Sequence, residues 1–193
     1  MKVGEEIWRH YLDSKALKGK DTLVWMDLEM TGLNPDVDRI IEMATIITDG
    51  RLNLIAEGPE LVIHQPDSIL DQMDEWNKNH HGSSGLIQKV KKSHDSMSSA
   101  ENKTLEFIKT HVKENQGILA GNSIWQDRRF LIKYMKKLDS YLHYRMLDVS
   151  TIKILASNWY EEKPFKKKEM HRAKLDILES LEELKYYQKK CFK

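Results

Sequence analysis

A single cysteine, Cys191, is all the thiol chemistry in this 193-residue chain. That excludes an internal disulfide framework and any cysteine-built zinc site, and a reducing compartment is the simple expectation. Long apolar runs are missing as well, and none approaches the ~20 residues of a membrane span. Net charge is almost absent: 31 basic side chains stand against 30 acidic ones, leaving +1. This balance argues against a wide basic face gripping long duplexes, but it leaves room for a short or single strand held by a few contacts. The opening "MKVGEEIWRHYLDSKALKGK" has no signal-peptide core. Glu5, Glu6 and Asp13 make it too acidic for an organelle transit peptide. A cytoplasmic location is expected, or the mitochondrial matrix if the source is eukaryotic.

What is present suits one domain over residues 21–193. Residues 1–20 read as an extension with rough helical spacing of Ile7, Trp8, Tyr11, Leu12, Ala16 and Leu17. After it come no repeat, linker or low-complexity tract. "LVWMDLEM", "RIIEMATIITD", "LNLIAEG" and "ELVIHQ" are β-rich runs parted by turn residues, so the first third reads as a strand meander. Helices are expected over 69–78 and from Ser98, where "SSAE" offers a capping box with Glu101. "GILAGNS" is a short buried strand and "QDRRFLIKYMKKL" a helix. "YRMLD" is strand-like, "VSTIKILASNWY" is helical, and "HRAKLDILESLEELKYYQ" forms the last helix. Strands followed by strand–helix alternation predict an α/β layered domain with a mixed sheet. Two basic clusters, "QKVKKSH" (88–94) and "KPFKKK" (163–168), read equally as solvated surface or as local contacts.

The chemistry starts in "LVWMDLEMTGL". Asp27 and Glu29 are two apart on a strand and therefore point the same way. Two ionised carboxylates side by side repel, so either one holds its proton or a cation neutralises both. Oxygen ligands on a rigid strand suit Mg²⁺ or Mn²⁺; an edge strand with both acids in solvent is the bland alternative. Asp127 opens a helix after "GILAGNS", where ligands gather in α/β sheets, although helix capping explains it as well. Asp176 lies near the apolar face of the last helix. Asp148, in "LDVST", looks like an N-cap and is assigned to structure. His171 precedes Asp176 by five positions, which rules out a shared face in mid-helix. Placed before the helix or in its first turn, it suits a general base more than a ligand.

"DLEMTGL", "GNSIWQDRRFLIKYM", "HYRMLDVST" and "HRAKLDILESLEELKYY", in this order, resemble the oligoribonucleases, of the DEDDh group of 3′-to-5′ exonucleases. The resemblance runs from about residue 23 to 192 and takes in "WNKNHHGSSGL". It implies a ribonuclease H-like fold: a mixed five-stranded sheet flanked by helices on both faces. It also implies two divalent cations, Mg²⁺ or Mn²⁺, on Asp27, Glu29, Asp127 and Asp176, with His171 as general base. The expected activity is degradation of very short RNA, dinucleotides above all, to nucleoside 5′-monophosphates. Leu33 would wedge against the bases, Trp76 and His81 would line the 3′-nucleotide pocket, and Ser123 would touch the 5′ phosphate. Tyr144, Arg145 and Ser150 match groups supplied across a homodimer. Trp125 receives no role. Lys174 stands where bacterial members often carry an acid, removing one negative charge near the site. A DNA-directed or tRNA-trimming relative, or a catalytically silent scaffold, are the competing expectations. The near-neutral charge speaks against the former, and retention of all five catalytic positions against the latter.

Overall fold

The computed structural model describes residues 21–166 and 172–192, so the expected helix over 1–20 and His171 both lie outside the described residues. Five strands build the sheet: β1 (Thr22–Met30), β2 (Ile40–Asp49), β3 (Leu54–Val62), β4 (Gly117–Gly121) and β5 (Met146–Asp148). Their spatial order is β3-β2-β1-β4-β5. The meander β1–β2–β3 is antiparallel, while β4 and β5 run parallel to β1. Around the sheet lie α1 (Asp67–Leu70), α2 (Glu75–Ser83), α3 (Leu86–Lys92) and α4 (Met97–Lys109). After β4 come α5 (Ile124–Tyr134) and α6 (Lys136–Tyr141), then α7 (Val149–Tyr160) and α8 (Ala173–Cys191). This is the mixed five-stranded sheet with helices on both faces that the sequence implied.

The two-residue period of β1 decides what each face buries. Val24, Met26 and Leu28 pack with Leu105 and Ile108 of α4, Phe130 and Leu131 of α5 and Leu138 of α6. Leu23 and Trp25 point the other way, into a core with Val149 of α7 and Ala173, Ile177 and Leu181 of α8. Trp25 is fully buried, and its indole N–H donates to Thr48 Oγ1 at 2.9 Å. Left unpaired, such a buried donor would cost about 1–3 kcal/mol. Asp27 and Glu29 continue the Trp25 face beyond the cover of these apolar contacts. The core therefore holds the strand while its carboxyl-terminal half stays available for polar work.

Several local expectations are corrected. The two runs "LNLIAEG" and "ELVIHQ" are one strand, β3, with Gly58 and Pro59 in its middle. It is an edge strand, where proline is tolerated. A Cβ on Gly58 would come within 2.5 Å of the Phe107 ring, so the glycine makes room for α4. The helix expected over 69–78 is broken, because Asp74 caps a new one, accepting from Asn77 N–H at 2.7 Å. α4 starts two residues early, with Ser96 as its cap, accepting from Ser99 N–H. Glu101 does not close a capping box; it reaches across to accept from Lys137 and Leu138 N–H at 2.7 and 3.2 Å. It thereby starts α6, which explains why "QDRRFLIKYMKKL" is two helices parted at Met135.

Candidate active site

Asp27 and Glu29 leave β1 on the α8 side of the sheet, and α8 brings a third acid to them. One carboxylate oxygen from each of Asp27, Glu29 and Asp176 fits within a 4.8 Å spread. Asp176 sits in the first turn of α8, its N–H donating to Arg172 O at 3.0 Å. What fixes that turn is Glu42 on β2, the register partner of Glu29. Glu42 is fully buried, and its carboxylate takes Arg172 Nη2 at 2.8 Å and Nε at 3.2 Å, plus the Ala173 N–H at 3.3 Å. Arg172 reaches Glu60 on β3 as well, at 2.7 Å. A charge-assisted fork of this kind fixes position and angle together, so the start of α8 is set against β2 and β3.

Asp127 stands buried in the first turn of α5 and reaches the backbone of β1. Its Oδ1 accepts the Leu28 N–H, between the two strand acids, at 2.9 Å. Burial pushes its carboxyl up to about 7, against the pull of that hydrogen bond. Glu29 is raised to about 8, chiefly by burial and then by the charges of Asp176, Glu42 and Asp127; Arg172 opposes them. Glu29 thus keeps its proton at neutral pH unless positive charge arrives. Convergent carboxylate oxygens from a strand and a helix fit a hard divalent cation, which prefers oxygen ligands and replaces that proton.

The comparisons with known proteins agree with this geometry. The family model described as "Exonuclease" matches residues 24–184. An oligoribonuclease from Chromobacterium violaceum is 56% identical over 175 residues, covering 90% of this chain and 97% of that protein. One from Shewanella putrefaciens is 53% identical over the same length, with the same coverage. The chain belongs to the oligoribonuclease family. Among solved structures, Exonuclease I from Methylocaldum szegediense superposes with a TM-score of 0.67 at 15% identity, and E. coli Exonuclease I bound to an oligonucleotide with 0.63 at 14%. Each match covers 89% of this chain but only 41% of the larger enzyme, and at that identity it speaks for the fold alone.

The remaining oligoribonuclease positions fall into three places. Leu33 and Trp76 are strongly exposed beside the carboxyl end of β1, Leu33 with its carbonyl held by Gln126 Nε2 at 2.6 Å. Trp76 stacks on His80, centroids 4.6 Å apart. His81 is instead buried, its Nε2 3.0 Å from Met30 O. A carbonyl only accepts, so that nitrogen carries the proton, and the ring fixes the strand end next to Glu29.

Ser123 and Ser150 lie together at the carboxyl ends of β4 and β5, hydroxyls 3.2 Å apart in one chain. Ser123 adopts a left-handed backbone (φ 50°), held there by Asp148 and Ser150, which accept its N–H at 2.9 and 3.1 Å. Asp148 also caps α7 through Ser150 N–H, the structural assignment expected of it. Tyr144 and Arg145 lie at the opposite end of the sheet. Met146 pairs with Leu119, which pairs with Val24, so Tyr144 is level with the start of β1. At ~3.3 Å per residue, it stands roughly 15 Å behind Asp27 along the strands, and two strands aside.

Sequence reading missed three anchors. Arg172–Glu42 is one. Arg128 is another: it bridges Asp139 at 3.0 Å and donates to the carbonyls of His143 and Tyr144, pinning the loop that presents Tyr144. The third is Asn122, which donates to Ser180 and Glu183 of α8 and accepts from Ser150 Oγ at 3.0 Å. Their partners are 11 to 130 residues away, and nothing in the local pattern marks them. Lys174 turns away from the acids to Glu57 at 2.7 Å.

Proposed function

We propose that this 3′-to-5′ exoribonuclease cleaves very short RNA strands to nucleoside 5′-monophosphates, with two divalent cations, Mg²⁺ or Mn²⁺, held by Asp27, Glu29, Asp127 and Asp176. The observation that carries the reading is the meeting of Asp27, Glu29 and Asp176 within 4.8 Å, from the first strand and the last helix of the domain. When bound, such cations supply Lewis acidity to the water that attacks the last phosphodiester and to the departing 3′ oxygen. The chain's own groups do the rest. Asp27 and Glu29 present their oxygens from a strand that cannot yield, being packed on both faces. Asp127 braces that strand at Leu28. His171, next to the anchored Arg172, takes the proton of the attacking water. Leu33 and Trp76 offer apolar and aromatic surface to the terminal bases, a sequence-tolerant contact.

A closed 5′ end explains the preference for dinucleotides. Ser123 and Ser150 supply hydroxyls for a terminal phosphate, and they act together from one chain. Tyr144 and Arg145 lie too far behind their own acids to serve them, which supports a homodimer in which each copy completes its partner's site. Exposed Met146 on the edge strand and Ile154 and Trp159 on α7 give that dimer an apolar face. The protein would act in the cytoplasm. A length series of 5′-labelled RNA from two to about ten nucleotides, digested with Mn²⁺, tests the reading. A sharp preference for the dinucleotide, abolished by chelation, is expected. Equal rates across the series would exclude the capped site and favour a longer-strand exonuclease.

A further inference from the structure

The basic motif "QKVKKSH" has no part in the chemistry above, yet the fold gives it a cavity. A cleft of about 900 Å³ opens between the end of α3, the start of α4 and the loop joining β1 to β2. Arg39 enters it from the loop and Lys91 and Lys92 from α3, while His64 and His94 add ring nitrogens from the connections on either side. Among the described residues, no carboxylate lines it. Lys91 is neutralised by Asp67 at 2.9 Å. Among the described residues Arg39 has neutral acceptors: one guanidinium nitrogen donates to the carbonyls of Val37 and Asp38 and to the Tyr134 hydroxyl. The guanidinium lies 5.1 Å from the Tyr134 ring centroid, so its plane is held in place. His64 Nδ1 lies 3.2 Å from Val90 O, an acceptor only, which leaves its Nε2 as the other ring nitrogen.

The walls are rigid as well as charged. Gln65, buried, donates to Ile40 O at 3.0 Å, and Ser93 donates to Val62 O. The motif is thus bolted to the end of β3, and the β3–α1 connection beside it to the start of β2. Fixed donors converging without a carboxylate describe an anion site, and the volume is that of a small-ligand pocket.

We propose that this cleft is a second binding site, separate from the acidic cluster, for the phosphate of a nucleoside monophosphate. Lys92, His94 and Arg39 would face the phosphate, with the nucleoside over the Arg39–Tyr134 pair. Phosphate monoesters of this class are what the proposed reaction releases, so the site would sense product. The divalent cations of the acidic cluster take no part.

Titrating AMP, adenosine and inorganic phosphate into the full chain, followed by amide chemical shifts, tests this in Mg²⁺ and again in EDTA. Shifts at His64, Ser93 and His94 that persist in EDTA are expected with AMP and not with adenosine. Lys92→Glu with His94→Ala, both exposed positions, should weaken AMP at the cleft at least tenfold and leave dinucleotide turnover without added AMP unchanged. Inorganic phosphate binding as tightly as AMP would overturn the nucleotide assignment. Shifts confined to the acidic cluster, or unaltered AMP binding by the double variant, would overturn the site itself. Because binding is read without divalent cation, a failure here is distinguishable from a failure of the catalytic reading.

Discussion

Glu29 and Glu42 are neighbours across β1 and β2, on one face of one sheet, and the fold treats them in opposite ways. Glu42 receives the Arg172 guanidinium, a backbone N–H and complete burial. Glu29 receives further acids, and its carboxyl is driven to about 8. The same residue type, a strand apart, is a structural anchor in one place and an unsolved electrostatic problem in the other. The lesson is that the unfavourable acid is the one proposed to hold a cation. Arg172 is spent on positioning α8, which brings Asp176 to Glu29 and makes the repulsion worse.

The contrast breaks most visibly in turnover. Glu29→Gln is expected to lower dinucleotide hydrolysis by about 10³-fold, since charge stabilisation at the reacting centre is lost, while raising the unfolding midpoint of the chelated protein at pH 8. A destabilised variant would mean that Glu29, too, is an anchor. Arg172→Ala should instead destabilise the fold, costing about 3–5 kcal/mol in denaturant unfolding because a buried carboxylate is stranded. Arg172→Lys should recover only part of it, lacking the fork. A loss under 1 kcal/mol would erase the distinction.

pH sharpens the comparison next. The folded chain holds the Glu29 proton up to about 8, against 4.5 for the free group, and that of Asp127 up to about 7, against 3.8. Protonation of these two groups therefore favours the native state, so their contribution to the stability of the chelated protein is fullest below about pH 4 and drains away as pH rises to 8. Mg²⁺ or Mn²⁺ should reverse the trend at the upper end, and a thermal-melt series with and without EDTA checks both slopes. Tyr144→Ala, at an exposed position away from either acid, should raise KM about tenfold with the fold intact. Lys174→Ala, which removes only the exposed pair with Glu57, should cost less than about 1 kcal/mol.

The sequence carried the sheet and the acids well because both are short-range signals. Alternation over eight residues betrays a strand, and a two-residue spacing betrays a shared face. It carried interruptions poorly. Nothing around Met135 announces a break, because the carboxylate that starts α6 is Glu101, from another helix. β3 looked like two strands because Gly58–Pro59 imitates a turn, and only the Phe107 ring above Gly58 explains the glycine. Glu42 was invisible as an anchor for the same reason: its partner is 130 residues away, and an isolated glutamate in a strand has no pattern to read. His81 was legible as part of a motif, but not as a buried brace for Met30.

The position of Tyr144, behind its own acids along the sheet, has a consequence for genetics. Under the proposed exchange between copies, a chain carrying Asp27→Ala and a chain carrying Tyr144→Ala are each defective as pure dimers. Mixed together, they complement. The heterodimer has one site in which both lesions coincide and another in which neither is present. Coexpressed, the two variants would therefore give dinucleotide turnover at low substrate that neither reaches alone, and the recovered activity would track the fraction of mixed dimers rather than the total protein.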